Sequence, residues 1–123
     1  MKLRAFCIVL AAIVFVGCKT TPEFTPGSGG YDHIPDGMKA EAAFSGGDGS
    51  SIKQAVIITD ATGEKTGVRA EYIWLHEHYP SYRLRLQALR SEDGKAYDMM
   101  KIITADGKPI TIFFDITSFL GKY

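Results

Sequence analysis

The amino-acid sequence predicts an α+β domain in which one helix packs on a mainly antiparallel sheet. Three observations lead to this fold class. One segment has the 3.6-residue spacing of a helix, a short β-branched run precedes it, and three alternating segments joined by Asp-Gly turns follow it. The predicted order of elements is therefore β-α-β-β-β, with the helix lying on one face of the sheet.

The first predicted strand is the run Ala-Val-Ile-Ile at 55–58, which is short and rich in β-branched residues. Ser51, followed by Gln54 three residues later, predicts a capping box and a single helical turn before this strand. Upstream, apolar residues occupy alternate positions of the segment 38–44, which favours an additional N-terminal edge strand. The alanines of that segment leave a helix open as the alternative.

Helical spacing is confined to residues 68–79, where apolar residues recur along one face. The stripe consists of Val68, Tyr72, Leu75 and Tyr79. Pro80 predicts the end of the helix, because proline disfavours the α conformation in the residue before it. This stripe is the face that we expect to pack on the sheet.

Three strands are predicted after the helix, over residues 82–89, 96–104 and 110–116, with Asp-Gly in both connecting turns. Side chains of a strand alternate between its two faces. The residues predicted to face the helix are Leu84, Leu86, Ile110, Ile112, Phe114 and Ile116. Those predicted to face away are Arg83, Arg85, Gln87, Thr111, Phe113 and Asp115.

The first 17 residues have the three parts of a secretory signal: a basic start, an uncharged apolar run and a small residue at position 17. The apolar run is shorter than the roughly 20 residues that a membrane helix needs. Residues 18–45 are rich in proline and glycine, as expected of a flexible tether. The predicted organisation is thus a signal peptide over 1–17, a tether over 18–45 and one domain over 46–123.

The motif Phe15-Val16-Gly17-Cys18 resembles the lipobox of bacterial lipoproteins. This resemblance implies that Cys18 receives a thioether-linked diacylglycerol and becomes the first residue of the mature chain. Two fatty-acyl chains of the palmitate type anchor a protein stably, since each buried methylene contributes about 0.8 kcal/mol. The expected location is the cell envelope, on a membrane surface facing the periplasm or the exterior. Lys19 at the next position favours the outer membrane if the host has one.

Charge and cysteine content exclude other classes of protein. The chain has 14 basic and 14 acidic residues, and cleavage after Gly17 removes two of the basic ones. The mature chain is therefore slightly acidic, which argues against nucleic-acid binding. Cys7 leaves with the signal peptide and Cys18 is acylated, so no disulfide is expected. No cofactor is implied.

The segments 46–58, 67–80 and 95–123 together resemble a small domain that recurs in bacterial secreted and lipid-anchored proteins of uncharacterised function. The resemblance implies only the fold. It brings no catalytic residues, and we assign none from the sequence.

One candidate site is a ridge on the helix, where Glu71, Trp74 and His78 fall on one flank of the apolar stripe. A carboxylate and an imidazole on one ridge could serve an enzyme or an enzyme-regulatory subunit; the structural alternative is a Trp at the core margin and a His at the helix end. His76 and His78 are two residues apart, so they point in directions about 200° apart and predict no metal site. Weak chelation by Asp32, His33 and Asp36 would require the tether to be ordered.

A second candidate is the sheet face that points away from the helix, represented by Arg83, Arg85 and Phe113. Arginine and aromatic residues are enriched at protein interfaces. The alternative is that another part of the chain covers this face. Asp98 and Asp115, on adjacent predicted strands, are a candidate carboxylate pair; the alternative is that each forms a solvated ion pair with Arg83 or Arg85 on the neighbouring strand.

The sequence therefore predicts a membrane-anchored module that binds a protein partner or another ligand in the envelope. An enzyme using the Glu71, Trp74 and His78 ridge and a purely structural envelope component are the alternatives. The oligomeric state has no sequence signature.

Overall fold

The computed structural model describes residues 34–123, so the predicted signal peptide, Cys18 and the first part of the predicted tether lie outside the described residues. The elements are β1 (Ala43–Gly46), β2 (Val56–Thr59), α1 (Glu64–His78), β3 (Arg83–Glu92), β4 (Lys95–Ile103) and β5 (Pro109–Asp115). The predicted α+β class is confirmed, and the additional N-terminal strand is present as β1. Within this range no helix has the length and apolar character needed to cross a membrane.

The five strands form one mixed sheet in the order β1-β2-β5-β4-β3. Strand β2 runs parallel to β5, and the other neighbouring pairs are antiparallel. The parallel pair arises because α1 and the β3–β4–β5 meander intervene between β2 and β5, which leaves room for a crossover. Strands β1 and β3 are consequently the two edges of the sheet.

Helix α1 begins at Glu64, four residues before the first residue of its predicted apolar stripe. Thr66 accounts for this earlier start, since its hydroxyl accepts a hydrogen bond from the backbone N–H of Gly63 at 3.1 Å. The negative charge of Glu64 in the first turn also stabilises the helix, because it lies at the positive end of the helix dipole. At the other end the backbone N–H of Tyr79 donates to Leu75 at 2.8 Å, and Pro80 follows as predicted.

The core lies between α1 and one face of the sheet, and it is almost entirely apolar. Its largest fully buried apolar side chains are Phe114, Phe119, Ile58, Ile73, Leu75, Met100, Ile102 and Val56. Both sides of α1 are buried, because Ile73 and Leu75 are about 200° apart around the helix. Ile34, Ala40 and Ala42, which precede β1, pack against the same core.

A β-bulge in β3 changes which side chains of this strand reach the core. Leu84 pairs with Ile102, but Leu86 pairs with Lys101, so Arg85 is an extra residue without a partner on β4. Leu86 is thereby turned outward and is 41% exposed. Gln87, which pairs with Met100, is turned inward. The prediction that Leu86 faces the helix and Gln87 faces away was wrong, because one extra residue reverses the alternation beyond it.

Candidate functional site

The most unusual polar group in the described chain is the carboxyl group of Glu71, in the middle of α1. Its side chain is 0% exposed. Neither oxygen has a hydrogen-bond partner among the described residues. A buried polar group without a partner costs free energy, and an ionised one costs more, so such groups are rare in stable folds.

Asp98 lies next to Glu71, on the face of β4 that is turned toward the helix. Its partners in the ladder are Leu89 on β3 and Phe114 on β5, and it is 6% exposed. The Gln87 side-chain amide donates a hydrogen bond to Asp98 Oδ2. The Tyr72 hydroxyl in turn donates to Gln87 Oε1 at 2.9 Å. A polar chain thus runs from the helix through β3 to Asp98 and ends beside Glu71.

Burial raises the pKa of Glu71 well above its ordinary value of 4.5. The negative charge of Asp98 beside it raises this pKa further. The surroundings of Glu71 therefore favour the neutral, protonated form of its carboxyl group.

A cavity of about 230 Å³ adjoins this pair, between α1, the middle of β3 and β4, and the residues after β5. Glu71, Gln87 and Asp98 contribute its polar lining. The other lining residues are Glu64, Val68, Ala88, Leu89, Ile116, Phe119 and Leu120. Leu89 and Leu120 are 59% and 40% exposed, which places them at the mouth. We call this space the Glu71 cavity.

The structure divides the predicted helix ridge into two separate environments. The rings of Trp74 and His78 stack with their centroids 3.8 Å apart, and His78 Nδ1 lies 2.8 Å from the backbone oxygen of Trp74. Trp74 also meets Phe114 edge to face. His78 lines an open cleft with Pro80 and Ile110, whereas Glu71 lines the Glu71 cavity. Trp74 and His78 therefore act as a packing pair at the end of the helix.

Phe113 lies apart from the other two predicted sheet-face residues, Arg83 and Arg85. Arg83 and Arg85 are exposed on the edge strand β3, and Phe113 is half-buried on β5. The backbone N–H of Phe113 donates to Gly49 at 2.8 Å, so the segment before β2 runs beside this part of β5. Arg83 pairs with Ile103 on β4, and Ile103 pairs with Pro109 on β5. Phe113 is four residues further along β5 than Pro109.

Asp98 and Asp115 are on opposite faces of the sheet and do not form a pair. Asp98 pairs with Phe114 in the ladder, whereas Asp115 pairs with Tyr97, the residue before Asp98 on β4. The Asp115 carboxylate accepts hydrogen bonds from Thr117 and lies 3.9 Å from Lys95 Nζ. The buried carboxylate partner of Asp98 is Glu71.

Sequence reasoning missed the roles of Gln87 and Asp98. A signal for Asp98 was present, since it occupies an inward position of β4 between Ala96 and Met100. A charged residue in an otherwise apolar series on one face of a strand is seldom buried without a partner. Gln87 carried no such signal, because only the bulge turns it inward.

No group of three or more His, Cys, Asp or Glu within residues 34–123 is arranged to hold a metal ion. Asp36 Oδ1 instead lies 3.0 Å from His76 Nε2, which links the segment before β1 to the helix. Asp32 and His33 lie outside the described residues. Comparison of the chain with family models, curated proteins and solved structures finds no match.

Proposed function

We propose that this chain is a lipid-anchored binding module of the bacterial cell envelope, and that its ligand enters the Glu71 cavity. The observation that carries the proposal is the fully buried carboxyl group of Glu71, which no described residue hydrogen-bonds. Such a group adds no stability to the fold, whereas a ligand with hydrogen-bond donors would provide the partners that its oxygens lack. Strongly perturbed carboxyl groups beside cavities are typical of functional sites.

The other buried polar side chains make the contrast clear. The Asp115 carboxylate accepts a hydrogen bond from the Thr117 hydroxyl, and Asp98 accepts one from the Gln87 amide. Glu71 is thus the exception within residues 34–123. Its position in the middle of α1, facing the sheet, would suit an apolar residue if only stability mattered.

The size of the cavity limits the ligand. Pockets for complete cofactors and drug-sized molecules measure about 300 to 1,000 Å³. At about 230 Å³ the Glu71 cavity suits a group the size of one amino-acid side chain. The occupant is therefore a small molecule or one side chain of a larger partner.

The anchor is the second part of the proposal and rests on the lipobox-like motif ending at Cys18. Acylation there would hold the module on a membrane surface of the envelope, with the outer membrane favoured where one exists. The tether after Cys18 would let the cavity face soluble or neighbouring envelope components.

An acid–base enzyme is a second candidate, since the raised pKa of Glu71 beside Asp98 resembles the tuning of catalytic carboxyl pairs. The ridge hypothesis loses support because Glu71 and His78 line different cavities. None of the residues lining the Glu71 cavity is Ser, Cys, Lys or His. Binding is therefore the better-supported function.

The proposal is tested by titrating the full-length chain in non-ionic detergent with n-butylammonium, butyrate and 1-butanol, recording ¹H–¹⁵N NMR spectra. We expect at least one probe to shift the side-chain amide signals of Gln87 in a saturable manner. Leu89→Trp, which fills the mouth, should abolish that shift. Leu86→Trp, the same change on the outer face of β3, should preserve it. If no probe shifts these signals, the proposed function is wrong.

A further inference from the structure

We infer that the group bound in the Glu71 cavity is an ammonium group carried on a short alkyl stem. This inference rests on the proposed function and specifies its ligand. The chemistry is shared by small aliphatic amines and by the side chain of lysine in a partner protein. Three features of the cavity support it: the sign of its charge, its hydrogen-bond acceptors and the apolar surface that surrounds them.

The charge of the cavity lining is entirely acidic. Its titratable residues are Glu64, Glu71 and Asp98, and no Lys, Arg or His contributes to it. Glu64 is already engaged at the mouth, where its Oε2 accepts a hydrogen bond from the backbone N–H of Gly121 at 3.2 Å. Asp98 and Glu71 are thus the acidic groups left in the inner part of the cavity, which favours a cation over an anion or a neutral group.

The number of acceptors fits one ammonium group. An ammonium has three N–H donors and no acceptor. Gln87 bonds only one carboxyl oxygen of Asp98, Oδ2, so Asp98 can accept further hydrogen bonds. Both carboxyl oxygens of Glu71 are without a hydrogen-bond partner among the described residues. Asp98 and Glu71 together therefore supply the acceptors that one ammonium group needs. A divalent cation such as Ca²⁺ would require about six to eight oxygen ligands, more than these side chains supply.

The walls of the cavity favour an alkyl stem between this head group and solvent. Val68, Leu89, Ile116, Phe119 and Leu120 line them. Each methylene of a ligand that is buried against such a surface contributes about 0.8 kcal/mol. A hydrated inorganic cation such as Na⁺ would gain no binding free energy from these apolar walls. An alkylammonium would gain it both from its charged head group and from its buried alkyl stem.

Access to the carboxyl groups passes between Leu89 and Leu120. Glu71 is fully covered, so a ligand reaches it only when a side chain at the mouth changes rotamer. Both leucines are substantially exposed, so such a change need not disturb the core. Leu89 lies directly across from Asp98 in the ladder, which makes it the residue that a bound stem would displace.

The inference is tested with the three probes above, at matched chloride concentration and neutral pH. We expect n-butylammonium to bind at least about tenfold more tightly than 1-butanol, as charged hydrogen bonds are stronger than neutral ones. Butyrate should not bind. If 1-butanol or butyrate binds as well as n-butylammonium, the ammonium inference is wrong while the proposed binding function stands. If no probe binds, both are wrong.

A pair of matched variants locates the charge that binds the ammonium. Asp98→Asn should weaken n-butylammonium binding at least about tenfold and leave 1-butanol binding unchanged. Asp115→Asn, the same change at a buried aspartate on the opposite face of the sheet, should alter neither. Equal amine affinity in Asp98→Asn and the unmodified chain would overturn the inference. Near-UV circular dichroism of both variants verifies that the fold is retained.

A fourth probe distinguishes the two sources of the ammonium. N-acetyl-lysine N-methylamide carries the same head and stem on a peptide backbone. Binding at least as tight as that of n-butylammonium assigns the cavity to a lysine side chain of a protein partner. Binding of n-butylammonium alone assigns it to a small free amine.

Discussion

The carboxyl group of Glu71 on α1 lies against that of Asp98 on β4, inside an otherwise apolar core. No Lys, Arg or His side chain is buried among residues 34–123, so neither carboxyl group has a buried cation beside it. The two groups meet because both lie where the helix crosses the sheet, next to Gln87 on β3. Burial and like charge act on Glu71 in the same direction, and a proton held by the folded protein relieves both.

Replacement of Glu71 by Gln should stabilise the fold at neutral pH. The pKa of Glu71 is raised in the folded state, so stability is greatest below the ordinary value of 4.5 and falls as pH rises. The slope approaches about 1.4 kcal/mol per pH unit for one proton. Glu71→Gln removes this loss, so its advantage in urea unfolding should grow between pH 4.5 and pH 7. Glu41→Gln, at an exposed site, should show no such trend.

Because of the bulge in β3, substitutions of Leu84 and Leu86 should change the free energy of unfolding by very different amounts, although the two leucines are only two residues apart. Leu84→Arg should lower the free energy of unfolding by more than about 2 kcal/mol, because Leu84 packs against the core. Leu86→Arg should change it by less than about 0.5 kcal/mol, because Leu86 faces solvent. Chemical denaturation measures both. Similar losses in the two variants would mean that β3 alternates without a bulge.

Gly67 should tolerate no larger residue. A Cβ atom there would overlap with the ring of Phe119, which is fully buried. Alanine in a helix ordinarily gains about 1 kcal/mol over glycine, but overpacking costs about 1 to 3 kcal/mol. We expect Gly67→Ala to lower the urea midpoint in the unmodified chain and to raise it when Phe119 is also Ala. The same effect in both backgrounds would show that Phe119 is not the obstacle.

The two cysteines provide a direct test of the anchor. Cells expressing the chain should incorporate labelled palmitate into it, and Cys18→Ser should abolish the label. Cys7→Ser should retain the label, because Cys7 lies in the predicted signal peptide and would be absent from the mature protein. Label that persists in Cys18→Ser would contradict the proposed lipid anchor.

Local pattern was sufficient to predict the kinds of element. The apolar stripe of α1, the β-branched run of β2 and the Asp-Gly turns of the meander involve neighbours in sequence, so their spacing reveals them. The start of α1 was missed because a hydroxyl cap at Thr66, not apolar spacing, determines it. The parallel pairing of β2 with β5 depends on strand order, which local periodicity does not encode.

The polar core required the tertiary structure. The sequence predicts Glu71 beside Trp74 and His78 on a helix ridge, and for Asp98 it offers either Asp115 or solvated arginines as partners. In the fold, Asp115 lies on the opposite face and Glu71 takes its place next to Asp98. The burial of both groups follows from the packing of α1 on the sheet, to which residues distant in sequence contribute.

The sequence by itself determined the α+β class, the kinds and order of the principal elements and the candidate lipidation residue, because each depends on residues close together in the chain. Only the tertiary structure decided that Leu86 faces solvent, that Gln87 reaches Asp98 and that Glu71 lies buried against the same aspartate. These relationships depend on one bulge and on the crossing of a helix over a sheet. Both are properties of long-range packing, which fixes distances between residues that no local pattern relates.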